Sequence, residues 1–95
     1  MNLAEIKEKA EPVLRTHGIA RASVFGSTAR GTASEDSDVD LLVSFARPKG
    51  MIAYSRFVND LSATLGREVD VVTEKSLNPH LRPYVMQDVK VIYEN

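Results

Sequence analysis

The sequence predicts an α/β chain of the mixed α+β kind, in which a small mixed β-sheet is flanked by helices. Three observations carry that prediction. Apolar residues recur at helical spacing in two long segments, and four short β-branched or alternating runs lie between and after them. The third is composition: 95 residues with 43% hydrophobic and 26% charged side chains match an ordinary globular chain. Residues 1–95 are therefore expected to form a single domain around one core.

In chain order, Leu3, Ile6, Ala10, Val13, Leu14 and His17 describe one face of a helix that stops at Gly18. Pro12 lies inside that helix and is expected to kink it or to start a fresh turn. Residues 20–25 read as a strand ending against Gly26. The small, polar segment 26–37 (GSTARGTASEDS) reads as a turn, a short helical piece and a loop. VDLLVSF, residues 39–45, is a buried strand closed by the turn cluster Arg47, Pro48, Lys49 and Gly50. Met51, Tyr54, Phe57, Val58, Leu61 and Leu65 share one arc of a second, core-facing helix, which Gly66 ends. Residues 68–73 alternate as a strand, 79–88 form a short helix broken or kinked at Pro83, and 89–93 close the chain as an edge strand.

Charge and composition exclude several classes of function. Twelve Lys and Arg against thirteen Asp and Glu leave a net charge of −1, so stable nucleic-acid binding is not expected. The absence of cysteine removes a disulfide scaffold, a cysteine zinc site and a thiol nucleophile. No apolar run approaches the ~20 residues of a membrane span, and the charged, amphipathic start MNLAEIKEKAEP is unlike a signal peptide. A cytoplasmic protein without membrane association is expected. His17 and His80 are far apart, so metal chemistry falls to carboxylates.

Those carboxylates gather in one place. Asp38 and Asp40 flank Val39 at the start of a strand, and alternation points both to one face while Val39, Leu41 and Val43 anchor the other. Hard cations such as Mg²⁺ take oxygen ligands of this kind together with substrate phosphates. Glu35 and Asp36 enlarge the cluster, and no Lys or Arg occurs between Gly31 and Ala46, so the like charges repel until a cation arrives. Gly26 and Ser27, separated from Asp38 by ten residues, directly follow a strand. Gly26 permits close backbone approach to phosphate, and Ser27 offers a hydroxyl or caps the next helix. Arg30 reaches a phosphate or pairs with a carboxylate. Better-known motifs fail on essential residues. A Walker A loop needs Lys where Thr32 stands, a dinucleotide fingerprint needs Gly at Thr28, and a calcium loop beginning at Asp36 needs Gly at Leu41 and Glu at Arg47.

The run GSTARGTASEDSDVD, a G-S pair, ten residues and D-x-D, resembles the signature of the DNA polymerase beta-type nucleotidyltransferase superfamily. VFGSTARG followed by SDVDLLVSF is similar to the minimal nucleotidyltransferase (MNT) domains, from the first helix to the last strand and most strongly over residues 24–45. The resemblance implies the nucleotidyltransferase fold, a phosphate-holding turn at Gly26 and Ser27, and a metal-binding pair at Asp38 and Asp40. It also implies a third carboxylate on a neighbouring strand, and Asp70 is the acid inside the strand-like segment EVDVVT. Asp38, Asp40 and Asp70 would hold two Mg²⁺ ions, with Asp70 orienting or deprotonating an attacking hydroxyl. The implied reaction carries AMP from ATP to that hydroxyl and releases pyrophosphate. MNT proteins often pair with HEPN toxins, RNases that they neutralise as antitoxins, so adenylylation of a HEPN partner is the implied outcome. Two alternatives stand beside it: a module that neutralises a toxin by binding alone, and an enzyme acting on a small hydroxylated acceptor, for which the short chain leaves little wall.

Overall fold

The structure, a computed structural model, describes residues 2–31 and 38–95. Glu35 and Asp36 of the acidic cluster, and the loop expected over 32–37, lie outside the described residues. The elements are α1 (Leu3–Thr16), β1 (Ile19–Phe25), α2 (Gly26–Arg30), β2 (Val39–Phe45), α3 (Met51–Leu65), β3 (Val69–Thr73), α4 (Arg82–Gln87) and β4 (Lys90–Glu94). The strands form one sheet in the order β3-β2-β1-β4. β1 runs antiparallel to both neighbours, whereas β2 and β3 are parallel, an arrangement that needs a crossover such as α3 to join them. This is the mixed α/β architecture that the sequence predicts.

Helices α1 and α3 pack against each other, α1 also against β1 and β4 and α3 against β3. Their buried stripes and the inner residues of the strands make one core. Helix α1 begins where the Asn2 side-chain oxygen accepts the Glu5 amide at 2.8 Å, satisfying one of the first-turn donors that no helical carbonyl can reach. Ile6, Ala10 and Leu14 then point inward, each fully buried. Of the two outcomes expected at Pro12, a fresh helical start is not found: α1 runs through it as one helix. Proline withholds a bond from the Glu8 carbonyl, but both residues are on the exposed side, where water serves the carbonyl and the buried stripe opposite holds the helix.

On α3, Phe57, Leu61 and Leu65 are buried as expected, but Met51 is 84% exposed. Helical periodicity assigns a side and not how far along the helix its cover extends. Gly66 ends the helix with φ +69° and donates to Ser62, a left-handed cap that suits glycine. The Phe57 ring meets Phe45 edge-on at 5.7 Å and the His17 imidazole at 5.4 Å. His17 Nε2 lies 2.7 Å from Asp60, tying the end of α1 to α3. Near the start of α3, the Tyr54 hydroxyl donates to the Val71 carbonyl at 3.0 Å, which occupies a backbone group on edge strand β3.

Helix α4 is shorter than the expected 79–88, and Pro83 sits in its first turn instead of breaking it, the place where a missing amide donor is harmless. It buries no residue. Strand β4 lies at the sheet edge, as expected. Among the described residues no helix is long and apolar enough to cross a membrane.

Candidate active site

Strand register assembles the site. Asp40 on β2 is the pairing partner of Phe25 on β1 and of Asp70 on β3, so one row across the sheet carries Phe25, Asp40 and Asp70, with Gly26 following at the end of β1. Partners in a row put their side chains on the same face. The alternating residues Val39, Leu41 and Val43 belong to the core, which leaves the carboxylates on the face turned away from it. Asp40 is half-buried, Asp70 is exposed, and Asp38 is exposed one residue ahead of β2.

Electrostatics show that Asp40 senses the other two carboxylates. The Asp40 pKa is raised above the usual carboxylate range, first by burial and then by the charges of Asp70 and Asp38, while the Arg30 guanidinium pulls it back. The Tyr54 hydroxyl is pushed upward by burial and by the Asp70 charge, so it stays protonated as the donor to Val71. Asp38 and Asp70 also line a hollow of about 420 Å³ together with Glu68, Ser62 and Val58. Glu68 and Ser62 carry no motif that would have marked them, because the packing of α3 against β3 brings them there.

Gly26 adopts φ +68°, and a Cβ on it would lie 2.8 Å from the Asp40 Oδ2. Only a residue without a side chain lets the β1–α2 turn pass this close to the carboxylate. Ser27 is half-buried, the second residue of α2, and does not cap it, since the N-cap position is Phe25. Arg30 had two readings, and the structure pairs it with a carboxylate: its Nη1 donates to Asp88 Oδ2 at 3.1 Å. Asp88 caps the far end of α4 and is 58 residues away, so no local spacing announces it.

The donor set of Asp38, Asp40 and Asp70 is all oxygen and anionic, which suits a hard divalent cation. Among the described residues no three His, Cys, Asp or Glu side chains close into a group that would hold a metal ion by themselves.

The nucleotidyltransferase domain family profile matches residues 6–92. A Methanocaldococcus jannaschii protein named "putative protein adenylyltransferase" is 43% identical over 88 residues, which span 93% of this chain and 95% of the relative. Protein adenylyltransferase MntA of Thermococcus cleftensis is 36% identical over 90 residues, spanning 86% of this chain and 91% of the relative. Among solved structures, a toxin-antitoxin crystallised with AMP-PNP superimposes with a TM-score of 0.80 at 26% identity, covering 94% of this chain and 73% of its own.

Proposed function

Because the chain belongs to the nucleotidyltransferase domain family, we propose that it transfers AMP from ATP to a side-chain hydroxyl of a partner protein, in the cytoplasm, as the antitoxin that neutralises a HEPN-type RNase toxin. Residues 1–95 act as a single minimal domain. The observation that carries this reading is the row that sets Asp70 beside Asp40 and leaves Gly26 against the Asp40 carboxylate. The relatives named as protein adenylyltransferases and the toxin-antitoxin structure with AMP-PNP support it.

In this reading Gly26 and Ser27 hold the triphosphate at the end of β1. Arg30 turns from Asp88 toward the phosphates, gaining a dianionic partner for a surface carboxylate. Asp38, Asp40 and Asp70 would hold Mg²⁺, as two ions, and burial together with the charges of Asp70 and Asp38, which raise the Asp40 pKa, is the stress such cations would relieve. When bound, the metal neutralises phosphate charge and stabilises an in-line displacement. The acceptor oxygen forms its bond to the α-phosphorus as the bond to the pyrophosphate oxygen breaks, and Asp70, exposed at the edge of the row, receives the hydroxyl proton.

The test is incubation of the chain and a HEPN partner with Mg²⁺ and ATP labelled at either the α or the γ position. Label from the α position alone, with the partner heavier by whole AMP units, is expected. Asp38→Asn should remove the label, and Asp70→Asn should lower turnover ~10²–10⁴-fold with much less effect on triphosphate binding. Neutralisation at unchanged partner mass, equally by Asp38→Asn, would replace catalysis with binding alone.

A further inference from the structure

The end of the sheet away from the carboxylates holds a second cavity. Asp40 and Phe45 are five residues apart on β2, a separation of ~16 Å along a strand. Beyond Phe45 the chain turns into α3, and between that turn and the end of β3 lies a hollow of about 450 Å³, within the size range of small-molecule sites.

Its walls combine two chemistries. Phe45 and Tyr54 supply aromatic surface, with ring centroids 6.2 Å apart in an edge-on arrangement, and the Tyr54 hydroxyl is anchored on the Val71 carbonyl, so this wall is preformed. Met51 adds a flexible apolar flank at the mouth, 84% exposed. Around this floor stand Arg47, Lys49 and Lys75. The Lys49 ammonium lies 5.8 Å from the centre of the Phe45 ring, which holds a cation directly over the aromatic wall. None of the three cations has an ion-pair partner among the described residues. The one acid in the wall, Glu74, is already paired with Arg21.

We propose that this hollow binds a small organic anion with an aromatic body, a carboxylate, sulfonate or phosphate ester whose ring lies on Phe45 and Tyr54 and whose acid meets Lys49, Arg47 and Lys75. Exposed cations alone hold an inorganic anion weakly, and a neutral ring uses the wall but none of the charge. The combination selects a ligand carrying both parts. The hollow is lined by none of Asp38, Asp40 and Asp70, and its ligand does not depend on the reaction proposed at those carboxylates.

Amide chemical-shift titration of the folded chain with naphthalene-2-sulfonate tests it, beside 2-naphthol and inorganic sulfate as half-ligands. Saturable shifts at Phe45, Lys49, Met51 and Lys75 are expected, with both half-ligands binding roughly tenfold or more weakly. The Lys49→Glu/Lys75→Glu variant should weaken naphthalenesulfonate by a similar factor, and Asp40→Asn should leave it unchanged. Met51→Asp, at a position 84% exposed where a substitution removes no core contact, should weaken it as well if the double variant fails to fold. Equal affinity for 2-naphthol, undiminished binding in the charge variants, or shifts confined to the exposed Tyr84 and Val91 side chains would overturn the proposal.

Discussion

At Gly26 two constraints coincide, a left-handed backbone and a carboxylate where a Cβ would stand. Gly26→Ala should destabilise the fold by ~1–2 kcal/mol through the backbone and push the Asp40 carboxylate out of its row, so that nucleotidyl transfer is lost while the protein remains folded. Gly66→Ala is the control: it carries the same positive φ but has nothing within 4 Å of its Cβ. Thermal unfolding should register both variants, and the label assay only the first. Asp40 itself opposes the fold. Its raised pKa means the folded chain binds that proton more tightly than the unfolded chain. Its contribution to stability is therefore present at acid pH and is lost as pH rises through the folded pKa. Asp40→Asn should raise the melting temperature of the metal-free protein near pH 7, with a gain that shrinks toward pH 4, and should abolish transfer. A gain independent of pH would contradict this account.

The elements differ in how firmly they are held. Strand β3 lies at an edge of the sheet, and Tyr54 secures it by donating to Val71. Tyr54→Phe removes that bond and leaves the rest of the ring in place, so the urea midpoint should fall by the equivalent of ~0.5–1.5 kcal/mol with an unchanged slope. Helix α4 stands at the other extreme. It buries no side chain, and the ion pair from its cap, Asp88 to Arg30, is half-exposed on both partners, a kind of contact worth ~0–1 kcal/mol. Amides of α4 should therefore exchange with solvent well before those of α1 and α3, whose stripes lie in the core. Uniform protection across the three helices would show that α4 is anchored by more than this pair.

At the scale of the molecule, Asp38, Asp40 and Asp70 gather at one end of the sheet, and Arg47, Lys49 and Lys75, which have no ion-pair partner among the described residues, stand at the other. Metal and triphosphate should consequently stabilise the fold together. At a hundredfold excess over Kd the gain is ~2.7 kcal/mol, seen as a rise in melting temperature with Mg²⁺ and ATP that EDTA removes and Asp38→Asn lacks; an equal rise in EDTA would dismiss the carboxylates as metal ligands. Much of this was legible in the amino-acid order. The stripes of α1 and α3, the stops at Gly18 and Gly66, the four strands and the G-S and D-x-D letters are local patterns, and local patterns report which face a residue occupies. Neighbours across a sheet are another matter. A period of two tells that Asp40 and Asp70 each point out of a strand, and the resemblance implied neighbouring strands, yet the order β3-β2-β1-β4 and the register are what pair these two residues directly. The same holds for Arg30 and Asp88, which meet across 58 residues. The unbroken helix at Pro12 and the exposure of Met51 have a related reason: whether a helix continues through a proline, and where along it burial begins, depends on what packs against it. Sequence by itself determined the elements and the chemical letters of the site, and tertiary structure decided their adjacency, because strand pairing and helix packing are settled by contacts between residues far apart in the chain.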